Sequence, residues 1–170
     1  MEQQEPRVRL PPLDQIGIVV RDMDRAIEYY SVNFGWGPFK VHEREIKGFT
    51  YRGTIGNCRL KMAFAQSGSI EIELIQVLEG ETPHSEFLRK KGEGVQHLRC
   101  SVDDIDYMLA ELAKEGIVPV FQQSLPQFGV SWAYLNTDKV GGVMLELIQW
   151  PKSRSVNNGS DAKLKSTEGG

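Results

Sequence analysis

The stretches LDQIGIVVRDMDRAIEYY at 13–30 and VQHLRCSVDDIDYMLAEL at 95–112 agree in pattern position by position, so the chain carries one unit twice. In each copy an apolar, β-branched run ends in valine, Val20 or Val102, and reads as a strand. A polar step follows, with Asp22 and Asp24 in the first copy and Asp103, Asp104 and Asp106 in the second. Aspartates there cap free amides and suit the positive end of a helix. The second helix shows Ile105, Met108, Leu109 and Leu112 along one stripe, with Gly116 as its expected stop.

Three strand candidates follow each helix. They lie near 38–46, 58–66 and 69–78 in the first copy and near 117–123, 129–136 and 142–149 in the second. QSGS joins the last two strands of the first copy as a hairpin turn, and DKVGG is the final turn of the second. The chain therefore reads as an α+β protein of two tandem βαβββ modules, 13–78 and 95–150. An N-terminal extension covers 1–12, and a bridging segment at 79–94 carries a short amphipathic helix around 84–91. Residues 151–170 have almost no bulky apolar side chain and are expected to form a disordered tail.

With 170 residues, 40% of them hydrophobic and 25% charged, the chain suits one compact domain or two small halves around a shared core. Twenty Lys+Arg against 23 Asp+Glu give a net charge of −3, which supplies no electrostatic reason for a nucleic acid or an anionic membrane as partner. No apolar run approaches the ~20 residues of a membrane helix, and MEQQEPRVRLPPLD is not a secretory signal, so the expectation is a soluble, cytoplasmic protein. Cys58 and Cys100, each inside an apolar run, read as buried free thiols.

The alignment sets Gln15 over His97 and, through the strands IELIQ and LELIQ, Glu73 over Glu146. Taken singly, a strand glutamate most often faces solvent and a lone histidine is most often a structural hydrogen-bonding group. Together the four offer an amide oxygen, an imidazole nitrogen and two carboxylates at corresponding places, with apolar flanks that argue for burial. A buried carboxylate needs a partner. The set suits one hard or borderline divalent cation, Zn, Co, Ni, Mn or Mg, at the centre of a cavity between the copies. Arg99, two residues after His97, shares its strand face and is a candidate to meet a substrate carboxylate or to pair with Glu93. Trp36, in FGWGPFK (34–40), is an aromatic that packs the core or lines the substrate pocket. RKK at 89–91 reads as a solvated helix face or a landing place for a CoA phosphate, and His42 and His84 read as surface residues.

FLRKKGEGVQHLRCSVDDID, LKMAFAQSGSIEIELIQVL and GGVMLELIQ resemble the vicinal oxygen chelate superfamily, above all its methylmalonyl-CoA epimerase branch, over about residues 13–150. The resemblance implies a curved, mostly antiparallel half-barrel around one cavity, a homodimer, and metal ligands at Glu73, His97 and Glu146. The epimerases carry His where this chain has Gln15, and the set Gln, Glu, His, Glu is that of eukaryotic glyoxalase I. The loop that carries a second catalytic carboxylate in the epimerases corresponds here to TIGNCR (54–59), which holds Asn57 and no acid. The basic residues that bind glutathione in glyoxalase I are replaced by Val19 and Glu93. By resemblance the activity is an enolate-based epimerisation or isomerisation of a 2-substituted acyl-CoA or related acid, with Glu146 as base and Glu73 as the second. The alternatives are a glyoxalase I-like lyase acting on a hemithioacetal and a metal-free binding or resistance protein.

Overall fold

The computed structural model describes residues 6–139 and 141–151. Beyond Pro151 the expected tail lies outside the described residues, as do the first five residues of the N-terminal extension. The elements run β1 (Leu13–Val19), α1 (Met23–Phe34), β2 (Lys40–Tyr51), β3 (Thr54–Ser67), β4 (Ile70–Glu79), α2 (Pro83–Lys91), β5 (Gly94–Ser101), α3 (Ile105–Ala113), β6 (Pro119–Leu125), β7 (Val130–Leu135) and β8 (Met144–Gln149). A 3-10 turn at Pro126–Phe128 joins β6 to β7. None of these helices is long and apolar enough to cross a membrane.

The duplicated sequence builds the same corner twice. Asp22 accepts a hydrogen bond from the Arg25 N–H at the start of α1, and Asp104 accepts one from the Tyr107 N–H at the start of α3. The glutamines that end IELIQ and LELIQ complete these corners: Gln76 accepts from the Met23 N–H at 3.0 Å and Gln149 from the Ile105 N–H at 2.9 Å. Each side chain satisfies an amide that the first helical turn leaves without a partner. Helix α3 ends at Ala113, one turn before Gly116, whose positive φ of 71° belongs to the following turn.

The eight strands form one closed sheet in the order β1-β4-β3-β2-β6-β7-β8-β5, so the order of the first four strands recurs, reversed, in the last four. β1 runs parallel to β4 and β5 to β8, and the other neighbours are antiparallel. This corrects the expectation of a half-barrel. An open half would leave the edges of β1, β2, β5 and β6 with unpaired amides and carbonyls. Pairing β1 with β5 and β2 with β6 removes those edges. TIGNCR is also not a loop: residues 54–59 lie inside β3, where Asn57 Oδ1 accepts from the Gly48 N–H across a bulge in β2.

Closure creates three cores. Outside the barrel, α1 covers Ile18, Ile72, Leu74 and Ala63, while α3 covers Cys100, Ala133, Leu135 and Leu147. The third core lies inside, where Phe49, Leu60, Met62, Phe64, Phe121 and Tyr134 face one another. Cys58 and Cys100 are buried free thiols, one inside the barrel and one beneath α3.

Candidate active site

Cross-strand register places the polar residues of the interior in two adjacent rows. Across β4, β1, β5 and β8 one row reads Glu71, Gln15, Arg99, Glu146, and the next reads Glu73, Gly17, His97, Met144. Alternation along a strand turns residues two apart to the same face, so both rows point inward. Gln15, Glu73, His97, Arg99 and Glu146 are all buried, with exposures of 7% or less.

Three oxygens meet one nitrogen. His97 Nε2 lies 3.1 Å from Glu146 Oε2, 3.2 Å from Gln15 Oε1 and 3.4 Å from Glu73 Oε2. The orientation of Gln15 is fixed because its Nε2 donates to Glu71 Oε1 at 2.8 Å, which turns its oxygen toward the imidazole. On the far side of the ring, Nδ1 donates to Gln96 Oε1 at 2.8 Å, so the neutral ring presents a bare lone pair at Nε2. The three oxygens then call for a proton, on Nε2 or on a carboxyl, or for a cation between them. In the absence of a cation the carboxylates of Glu146 and Glu73 outweigh burial and raise the His97 pKa from 6.5 to about 9. Burial, opposed by His97, pushes the Glu73 carboxyl above its ordinary range.

No group of three or more His, Cys, Asp or Glu side chains among the described residues forms a ready-made metal cage. The oxygens are set about the imidazole edge itself, and the amide oxygen of Gln15 is the fourth donor. The chemistry of the set nevertheless fits a divalent ion, because cis donors ~2.1 Å from an octahedral cation stand about 3 Å apart. The observed spacings of 3.1 to 3.4 Å are of that size.

Two features hold His97 in place. Its ring lies across Gly17, where a Cβ atom would come within 1.9 Å of Cε1. Gln96 Oε1 accepts from His97 Nδ1 and also from His84 Nδ1 at 3.1 Å, while Gln96 Nε2 donates to the Met144 sulfur. His84 is therefore not a surface residue: it is 4% exposed, carried on the first turn of α2, and lines the cavity. Burial, helped by His97, pushes its pKa down to about 3 and keeps it neutral. His42 is half-buried, its ring 6.1 Å from that of Phe64.

Arg99 reaches the cavity, but its guanidinium is held by Asp14 at 2.8 Å and Glu71 at 3.3 Å. Glu93, the alternative partner, instead accepts from the Arg21 N–H. Trp36 lies apart from the cavity, stacked on Tyr30 with ring centroids 5.1 Å apart in the core beneath α1. In the 89–91 run, Arg89 pairs with Glu81, Lys90 with Glu86, and Lys91 donates to the Gly142 carbonyl.

The rows open onto a cavity of about 280 Å³ within the barrel. Its other walls are largely apolar, with Ile46, Leu60, Met62, Phe121, Trp132 and Tyr134 among them. Cys58 also faces it, its thiol pushed up to about 11 by burial and therefore unreactive. Gly17, Gln96, Glu71 and His84 escaped the sequence reading. Only Gly17 carried a signal there, as a glycine inside a buried strand, which marks close approach of another group.

Residues 14–134 match the model of the Glyoxalase/Bleomycin resistance protein/Dioxygenase superfamily. An uncharacterized protein of Bacillus subtilis (strain 168), YqjC, is 27% identical over 148 residues, 85% of this chain and 96% of that protein. The mitochondrial methylmalonyl-CoA epimerase of Mus musculus is 24% identical over 150 residues, 87% of this chain and 78% of the enzyme. Among solved structures, methylmalonyl-CoA epimerase from Mycobacterium tuberculosis superposes with a TM-score of 0.62 at 27% identity, covering 84% of this chain and 89% of that one.

Proposed function

Since the chain belongs to the glyoxalase/bleomycin resistance/dioxygenase superfamily, we propose that it is a divalent-metal-dependent epimerase or isomerase that forms an enolate from a 2-substituted acyl-CoA or related acid. The observation that carries this reading is the convergence of three buried oxygens on one imidazole nitrogen at the wall of a cavity. The methylmalonyl-CoA epimerases among its relatives support the reaction class. We further propose that the chain is a homodimer, as its resemblance to the epimerases implies, which sedimentation of the purified chain checks.

Gln15, Glu73, His97 and Glu146 would hold the ion, which when bound polarises a carbonyl and stabilises negative charge on its oxygen. Glu146 takes the proton from the α-carbon, leaving the electron pair of the broken C–H bond in the enolate. Glu73, from a different strand, delivers a proton to the α-carbon, inverting it when delivery is to the opposite face. Gln96 and His84 do not exchange protons with the substrate in this scheme; they fix which imidazole nitrogen faces the oxygens.

Replacing Glu146 by Gln tests the assignment. The variant should lose α-proton exchange of acyl thioesters in deuterated water by ~100-fold or more, with its metal content measured alongside on protein purified without chelator so that loss of the ion is told from loss of the base. Unchanged exchange with metal still bound removes Glu146 from the role of base.

A further inference from the structure

The cavity has two chemically distinct walls. β4, β1, β5 and β8 supply the polar rows, whereas β3, β2, β6 and β7 line the opposite side with Leu60, Met62, Phe64, Phe121, Trp132 and Tyr134. Arg44, Glu45 and Lys47 of β2 add charged groups to that side, and Gln123 of β6 adds a neutral one. Gln123 on β6 is 8% exposed and lines the cavity, and its Nε2 donates to the Lys47 carbonyl at 3.2 Å. That bond fixes the amide and turns Oε1 away from Lys47. Among the described residues no donor meets this buried oxygen. A buried acceptor without a donor is costly, and a ligand that supplies one recovers the loss.

Volume adds an independent constraint. The cavity, at about 280 Å³, is nearly twice the ~150 Å³ that accepts a benzene molecule. A small dicarboxylic acyl group seated at the polar rows would leave the apolar wall unfilled. It would also carry only acceptor oxygens toward the acceptor of Gln123. An apolar body fills the space and gains the transfer energy of its buried surface.

We propose that the substrate is a 2-substituted acid derivative whose substituent is a large apolar body, aryl or branched alkyl, ending in an O–H or N–H that donates to Gln123 Oε1. The carbonyl and the α-carbon face His97 and Glu146, and the body crosses the barrel to β6. This assignment rests on the enolate reading of the same site.

Binding to the full chain, purified without chelator, is measured by calorimetry with 2-(4-hydroxyphenyl)propanoate, 2-phenylpropanoate and methylmalonate. Both aryl acids should bind roughly tenfold or more tightly than methylmalonate. The hydroxyl should add ~3-fold to 10-fold in affinity. In Gln123→Leu that increment disappears while 2-phenylpropanoate binds as before, and Gln123→Glu, which keeps an acceptor, retains it. Thermal unfolding of each variant identifies loss of fold, in which case the preference between the aryl acids and methylmalonate in the unaltered protein decides. Methylmalonate binding as tightly as the aryl acids, or a hydroxyl increment unchanged in a folded Gln123→Leu, overturns the proposal. Deuterium exchange at the α-carbon of the three CoA thioesters separates the two levels. Faster exchange of methylmalonyl-CoA leaves the enolate reading intact and sinks the apolar substrate; aryl acids that bind as expected without exchange of any thioester sink the enolate reading and leave the cavity assignment standing.

Discussion

A hydrogen atom at the α-carbon of residue 17 decides where the imidazole of His97 sits. Any side chain there would place its Cβ 1.9 Å from Cε1 and 2.4 Å from Nε2, so the ring could no longer lie across β1. Gly17→Ala should therefore destabilise the protein by about 1–3 kcal/mol. It should also reduce metal affinity, while a buried Gly-to-Ala change elsewhere in the sheet would affect stability alone. Metal titration followed by histidine NMR resonances checks this, and an unperturbed His97 resonance would refute it. The two buried histidines predict opposite limbs of a pH profile in chelator-treated protein. His97 has a folded pKa raised to about 9, so the stability it contributes is present below 6.5 and is lost as pH rises through 9. Glu73, held above its ordinary range by burial, contributes stability that is lost as pH rises upward from the ordinary carboxylate range. His84 has a folded pKa lowered to about 3, so its contribution is present above 6.5 and is lost as pH falls toward 3. Urea unfolding across pH should show both limbs, and His84→Gln should flatten the acid one; a profile that is level from 6.5 to 9 contradicts the His97 account. Gln15, Glu73, His97 and Glu146 were legible as a group because duplication marks corresponding positions without any knowledge of geometry. The burial of His84 was not, since it depends on how α2 docks over the barrel, a contact between distant segments.

At the scale of elements, the duplicated corner explains why both copies keep a glutamine after ELI. Gln76 and Gln149 each receive the first helical amide, and Asp22 and Asp104 each receive an amide two residues further on. Replacing Asp104 by Ala should cost about 1 kcal/mol and Gln149 by Leu about 1–2 kcal/mol, since the latter leaves a part-buried N–H without an acceptor. Guanidinium unfolding of the two variants tests the order, which reverses if Gln149 is solvated rather than structural. Helices and most strands were readable because their periodicity is local. The long hairpin of β2 and β3 was less so: it carries charged residues, with Arg59 paired to Glu43 across the strands and Lys47 to Glu45 along β2, and these weaken the apolar alternation. Trp36 illustrates the same limit, since sequence placed it beside glycines but only the packing of α1 could assign it to Tyr30.

Across the whole molecule, the two closures of the barrel are unequal. β1 and β5 pair along register positions from Leu13 to Val19, while β2 and β6 meet only at Thr50 with Gln122 and Tyr51 with Phe121. One flanking amide, Arg52 N–H to the Val120 carbonyl at 2.7 Å, and the Gln123 side chain on Lys47 extend this second seam. Sequence pattern gives each copy its strands but contains no term for how two copies meet, which is why closure was not legible. The polar rows flank the long seam, so the groups assigned to chemistry rest on the rigid side. The short seam adjoins Ile46, Lys47 and Gln123 of the cavity lining and is where the barrel opens with least loss of hydrogen bonds. Hydrogen exchange of the full chain should therefore proceed at least ~10-fold faster at Arg52 and Gln122 than at Ile16, Ile18 and Leu98. An occupant reaching Gln123 should slow the first group selectively, because it links β6 to the interior. Equal exchange at both seams would mean that the barrel opens as a unit and that entry to the cavity does not run through the β2–β6 junction.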